Sequence, residues 1–268
     1  MGEHKPGEPP ASGEVVVSLN NSSPPGWTPL PQVVARRLQK MILDGELRAG
    51  DVIPSQRQLS EQFNVSRASL REALLTLETL GLVKTEPGRG TFVTAGRTDP
   101  AAALRWRYSD SYSMQDVFAT RQMLEGCIAF ATAKVIDAAS IQMLIQLTDE
   151  MERCWEAGDL LANVEADLSF HGTIASSCPN LMLNSVYDFL QGFLTETQRQ
   201  PIPRTNPTRM RASLEEHREI IAALSRQDGW EACKAMRRHI ANTAACADIY
   251  IDVEDPGPSG RDSFNHCP

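Results

Sequence analysis

The chain has 268 residues, a net charge of −8, and 41% hydrophobic and 22% charged residues. That length suits two ordinary domains and that composition excludes a wholly disordered chain. No run approaches the roughly 20 apolar residues of a membrane span.

The N-terminus, MGEHKPGEPP, lacks the apolar core of a secretory signal, so the expected location is the cytoplasm, with no membrane partner. Charge is unevenly spread. Residues 31–97 hold ten Lys/Arg and seven Asp/Glu, residues 1–30 hold one and three, and residues 98–268 hold fifteen and twenty-four. The change of sign points to two modules with two jobs. Six cysteines (127, 154, 178, 233, 246 and 267) form no C-x-x-C motif and are expected to be reduced thiols.

Residues 1–29 carry six prolines and four glycines and read as a disordered tail, VVVSL at 15–19 being the exception. The winged domain is expected over 30–96. Its first helix is predicted over 31–44, with Val34, Leu38, Met41 and Ile42 on one face and Gly45 as its stop. A second helix is predicted over 55–62 after Pro54-Ser55. A third follows over 67–80, with Ser66 as N-cap, Val65 and Leu70 as hydrophobic staple, and Gly81 as its end. LVKTE and GTFVT then read as strands joined by a turn at Pro87 to Gly90.

Residues 97–112 read as a linker, with Trp106 and Tyr108 as candidates for docking on a neighbouring domain. Over 113–253 the helical period dominates. Six segments are predicted: 113–136, 138–156, 159–176, 180–199, 207–227 and 229–252. Long amphipathic helices with short connections imply an antiparallel bundle. Residues 254–268 read as a second tail. The expected fold is therefore mainly α, a winged helix-turn-helix domain followed by an antiparallel helical bundle.

In that plan the third helix enters the major groove, N-terminal residues first. Arg67 and Arg71 lie one turn apart on one face, while Leu70, Leu74 and Leu77 face inward. Arginine suits guanine O6 and N7, or a phosphate. Arg57 is placed to grip backbone or base, Ser66 and Ser69 to bond phosphates at a helix N-terminus, and Arg89, between Gly88 and Gly90, to carry a cation at the wing tip. Taken alone, the Arg67 and Arg71 pair reads more readily as ordinary solvated helix charges; the full set of spacings shifts the reading toward DNA.

The string DGELRAGDVIPSQRQLSEQFNVSRASLREALLTLETLGLVKTEPGRGTFV strongly resembles the DNA-binding domain of the GntR family of bacterial transcription regulators. The motifs G-x-L-x-x-G-D, P-S-x-R-x-L-S, V-S-R-x-x-L-R-E-A-L and G-x-G-T-F-V occur in order. The resemblance implies that Arg57, Ser66, Arg67, Ser69, Arg71 and Gly88 touch DNA. Gln56, Ile53 and Ala68 depart from the usual glutamate, leucine and threonine, and Ala68 bears on the preferred half-site.

In the helical block, His171, His217 and His239 each fall inside a predicted helix, and Asp167 precedes His171 by one turn. Donors from separate helices build metal sites in bundle cores, and this set suits zinc, nickel, iron or manganese rather than calcium. Spacing alone leaves open three satisfied polar histidines. DLSFHGTIA, EEHREIIAAL, MRRHIANT and SMQDVFATRQMLEGCIA resemble the effector domain of the FadR subfamily of GntR regulators. That resemblance implies a divalent metal, zinc first, on Asp167, His171, His217 and His239. It also implies a small carboxylate effector beside Arg121 and Glu125, the R-x-x-x-E pair. A structural salt bridge between those two stays open.

The expected function is thus a ligand-responsive regulator without catalysis, by resemblance more often a repressor. It is expected to bind a palindromic double-stranded DNA operator as a homodimer. Two alternatives stand: a DNA-binding dimer with a purely structural helical block, and a metal-dependent hydrolase using Glu125 or Glu216 as base.

Overall fold

The computed structural model describes residues 30–95 and 111–251. Both tails and nearly all of the linker, with VVVSL, Trp106 and Tyr108, lie outside the described residues.

The winged domain contains α1 (Leu30–Leu43), β1 (Val52–Ile53), α2 (Gln56–Phe63), α3 (Arg67–Thr79), β2 (Val83–Glu86) and β3 (Gly90–Val93). Side-chain caps set the helix starts. Ser55 and Gln58 form a capping box, with Gln58 N donating to Ser55 Oγ at 3.3 Å and Ser55 N to Gln58 Oε1 at 3.0 Å. Ser66 caps α3 by accepting from Ser69 N at 3.0 Å, while Leu70 is buried and Val65 packs against the core. Gly81, at φ +71, turns the chain out of α3. Val34, Leu38, Leu59, Leu70, Leu74, Leu77, Val83 and Val93 are buried together. The sheet is antiparallel in the order β1-β3-β2, with Phe92 facing Val52 on one side and Lys84 on the other. β1 was not expected from the sequence, because two residues carry no periodicity. It exists through its pairing with β3.

The helical domain contains α4 (Met114–Ala133), α5 (Ala138–Glu156), α6 (Leu160–Ser176), α7 (Leu181–Arg199), a 3-10 turn (Ile202–Arg204), α8 (Pro207–Ser225) and α9 (Gly229–Cys246). Six starts coincide with polar N-caps: Ser113, Asp137, Asp159, Asn180, Asn206 and Asp228 each accept a backbone N–H. The final helix is shorter than the predicted 229–252. Asp248 enters the left-handed region at φ +60, and Ile249 N donates to Ala244 O, which wraps the helix end.

α4 packs on α9, α5 on α6 and α8 on α9. The α4–α9 approach depends on two glycines. A Cβ at Gly126 would sit 2.8 Å from Arg237 Cγ, and one at Gly229 would sit 2.8 Å from the Phe130 carbonyl oxygen.

The two domains touch. Gln39 of α1, 3% exposed, donates from Nε2 to Asp159 Oδ1 at 2.6 Å and accepts from Leu161 N at 3.1 Å. Arg36 pairs with Glu165. At the end of α3, Gly81 lies against Pro203, whose Cβ would be 3.3 Å from an added Cβ. Away from these contacts, α4 and α7 leave an apolar strip in the open. It comprises Met123 (57% exposed) and Cys127 with Met182, Val186 and Phe189 (71% exposed).

Candidate functional site

The first surface is the outer face of α3 and the wing. Arg57, Ser66, Arg67, Arg71, Gly88 and Arg89 are exposed, and Ser69 is half-buried. Ser66 and Ser69 hydroxyls are 2.9 Å apart. Arg57 makes only an exposed pair with Glu61 at 3.2 Å, and Arg89 pairs with Glu86 while lying over the Phe92 ring. Gly88, at φ +75, forms the wing tip with open space around it. The cluster can donate many N–H groups to phosphates and base edges from one side of the domain.

The second site lies inside the bundle. Asp167 and His171 come from α6, His217 from α8 and His239 from α9. One donor atom from each lies within 4.8 Å of all the others. The three imidazoles are at least 98% buried, and the Asp167 side chain is 19% exposed. His217 Nε2 is 3.2 Å from Asp167 Oδ1, yet neither His217 nitrogen makes an aligned hydrogen bond. Burial lowers the His217 pKa against the pull of Asp167, and lowers His239 to about 4 with help from the neighbouring His217. Both rings are therefore neutral at pH 7, the form that ligates metals. Burial pushes Asp167 up, but the facing imidazoles, His217 foremost, outweigh it and hold the carboxyl below its ordinary range.

Behind the donors stand two carboxylates. Glu216 Oε2 is 2.9 Å from His239 Nδ1, and Arg209 clamps Glu216 with Nη1 and Nη2 at 2.7 and 2.8 Å. Asn242 Nδ2 adds a bond to Glu216 at 2.8 Å. Glu125 Oε2 is 2.5 Å from His171 Nδ1. Arg121, wholly buried, donates to Glu125 Oε1 at 2.8 Å, to Thr197 Oγ1 at 3.2 Å and to His171 Nε2 at 3.1 Å. A guanidinium only donates. His171 Nε2 is thus the acceptor of that bond, while His171 Nδ1 and Glu125 Oε2 lie close without an aligned hydrogen bond. Burial raises both glutamates, and their cationic neighbours more than reverse this, leaving each at about 2.

The donor set fits a divalent ion. Ligand distances of about 2.0–2.2 Å place donors roughly 3–4 Å apart, and unbonded buried ring nitrogens are what such an ion satisfies. Glu216, bonded to His239, stands where a carboxylate would fix a ligand's tautomer, and Glu125 lies in the corresponding place beside His171. A cavity beside the cluster is lined by Asn163, Asp167, Gln198, Thr205, Arg209, His217 and His239. The Gln198 side-chain oxygen, buried, has no hydrogen-bond partner. Arg121 and Glu125 do not line this cavity; they flank His171.

Residues 30–93 match the family model of bacterial regulatory proteins, gntR family, and residues 116–242 match that of the FCD domain. The HTH-type transcriptional regulator LutR of Bacillus subtilis is 30% identical over 220 residues, covering 79% of this chain and 98% of that one. The chain belongs to the GntR family. The Exu regulon transcriptional regulator of Escherichia coli K12 is 28% identical over 250 residues, covering 85% and 92%. A solved Streptococcus agalactiae GntR structure shares 27% identity and a TM-score of 0.42, over 80% of this chain and 99% of that one.

As a GntR-family protein with an FCD domain, the chain is a DNA-binding transcription regulator and not an enzyme. Glu125 and Glu216, the bases a hydrolase would need, are each committed to an arginine and an imidazole. Among the described residues, no helix is long and apolar enough to cross a membrane.

Sequence reasoning missed Arg209, Asn242, Thr197 and Gln198, and weighed Glu216 only as a base. Arg209 lies seven residues before Glu216, two turns along one face, so that pair was detectable. Thr197 and Asn242 carry no spacing signal, because their partners come from other helices.

Proposed function

We propose that this GntR-family regulator is a homodimeric repressor. In this reading a small carboxylate binds at a divalent metal held by Asp167, His171, His217 and His239, zinc being the first candidate. Nickel, manganese or iron would suit the same donors. The observation that carries the reading is the convergence of one carboxylate and three buried imidazoles beside a cavity, in a chain that also has a DNA-binding domain.

When bound, the ion supplies a positive centre that an anionic effector can ligate. Glu125 and Glu216 orient His171 and His239 toward it through their Nδ1 atoms. Arg121 is the effector-binding cation of this reading: a metal on His171 Nε2 would take the lone pair that now accepts from Arg121 Nη2 and free that N–H for the effector, while Glu125 keeps hold of the guanidinium through Nε. A planar fork meeting a carboxylate gives paired, directional bonds. Arg57, Ser66, Arg67, Ser69, Arg71, Gly88 and Arg89 form the DNA contact surface, whose exposure on one side of the domain supports this use.

A second copy is the occupant that suits the open strip on α4 and α7. The strip is apolar on two adjacent helices, and a two-fold symmetric operator needs two winged domains related by the same axis.

The test is metal analysis of the purified protein beside its His217→Ala variant, followed by operator binding with a panel of small organic acids. About one equivalent of metal per chain, lost in His217→Ala, and an organic acid that shifts operator affinity only in the wild type are the expected results. A metal-free wild type after gentle purification would overturn the metal part of the reading.

A further inference from the structure

We infer that Gln39 is the joint through which the bundle site acts on the DNA-binding domain, with α6 as the connecting rod. The inference rests on the metal-site reading for its ligand, but its geometry is independent of it. Gln39 belongs to α1, the helix on which α3 packs. Its amide is 3% exposed, and both polar ends are used by the first turn of α6: Nε2 donates to the N-cap carboxylate of Asp159, and Oε1 accepts from Leu161 N. The same helix carries Asp167 and His171 two to three turns further on. An α-helix is stiff over the ~15 Å between Leu161 and His171. A shift that closes Asp167 and His171 around a ligand therefore reaches Leu161 as a displacement of the whole rod. At Leu161 it meets a buried amide, so α1 must follow or one buried and one half-buried bond must break.

A second contact points the same way. Gly81, at the end of α3, rests on Pro203. Pro203 sits between Ile202 and Thr205, both of which line the cavity. Among the described residues the DNA-binding domain thus meets the bundle on α6, through Gln39 and the exposed Arg36–Glu165 pair, and on the 3-10 turn, and both elements wall the site. Gln39 is the one that fixes position along the rod: its amide is buried, whereas the van der Waals contact permits sliding and the Arg36–Glu165 pair is exposed to solvent screening. Linkage makes the coupling reciprocal: operator binding must act back on α6 through the same amide.

The test uses full-length protein, zinc chloride as probe, and a duplex selected by the wild type from a random pool. Operator affinity is measured by fluorescence anisotropy with and without zinc, zinc affinity by calorimetry, and backbone exchange of residues 160–164 with and without operator. The wild type is expected to shift its operator Kd about tenfold on zinc binding and to change exchange at 160–164 on binding the duplex. Gln39→Met, similar in shape but without hydrogen bonds to α6, is expected to keep its zinc Kd and its metal-free operator binding while losing both responses. Gln39→Glu, which can no longer donate to Asp159, should do the same, and it decides the matter if the methionine variant does not fold. A Gln39 variant that keeps the full zinc response overturns the inference. So does a wild type that binds zinc with no change in operator affinity. If the wild type binds no zinc, the metal reading fails separately and the exchange measurement decides: an operator-induced change at 160–164 that persists in Gln39→Met overturns the joint, and its loss supports it.

Discussion

Arg67 and Arg71 stand exposed on the first turns of α3 with no ion-pair partner among the described residues. A side chain ordered by nothing in its own domain is free to be ordered by a ligand. Arg67→Ala should weaken operator binding by about 10- to 100-fold, the worth of a bidentate base contact, while metal content and dimer mass stay unchanged. Anisotropy at one fixed salt concentration checks this, since phosphate contacts make affinity salt-dependent. The buried histidines give a second prediction. His239 is held near pKa 4, and His217 is also lowered, against 6.5 for a free imidazole. Between those values the unfolded chain takes up protons that the folded chain refuses. The unfolded state binds more protons there, so stability rises with pH across the window and falls as pH drops from about 6.5 toward 4. Calorimetry in a chelating buffer should show Tm falling through that range. A flat Tm would mean the rings are not buried in neutral form.

At the scale of elements, the α4–α9 contact is the least forgiving in the bundle. A methyl at Gly229 would meet the Phe130 carbonyl, which belongs to helix backbone and cannot swing aside as the flexible Arg237 chain can at Gly126. Gly229→Ala should cost about 1–3 kcal/mol, read as a lower denaturation midpoint with an unchanged slope, and Gly126→Ala should cost less. Elements were legible in the sequence to the degree that their ends are marked by side chains. All six bundle helices begin at capping residues readable in one dimension, and Ser66 announced α3. Two things escaped for different reasons: β1 is fixed by β3, some forty residues on, and the end of α9 by a left-handed Asp248 that no pattern signals. The site divides the same way. Asp167 and His171 share a helix face and were visible; His217 and His239 were candidates from their helix positions, with satisfied polar histidines left open, and the family resemblance pointed to the four as one set. The clasp of Arg209 and Asn242 on Glu216, and the burial of Arg121 behind His171, depend on how four helices cross.

For the whole molecule, the proposed homodimer places its contact on the open strip. Phe189 is 71% exposed on α7, with Val186 and Met182 one and two turns before it, and it lines a groove with Asp116, Val117 and Thr120 of α4. Phe189→Glu should put a charge at the centre of the dimer contact and yield monomers in sedimentation, each still folded and metal-competent. Operator affinity should fall because each half-site then binds alone. An unchanged dimer would place the contact elsewhere. α4 itself meets several demands at once. One flank holds Arg121 and Glu125 against His171, a second lets Arg237 close on Gly126, and a third carries Met123 and Cys127 into the open strip. Most surface helices have an idle side on which substitutions accumulate without penalty. This one has almost none, so a library of random single changes selected for regulation should be depleted around its full circumference, where α5 would recover at every third or fourth position.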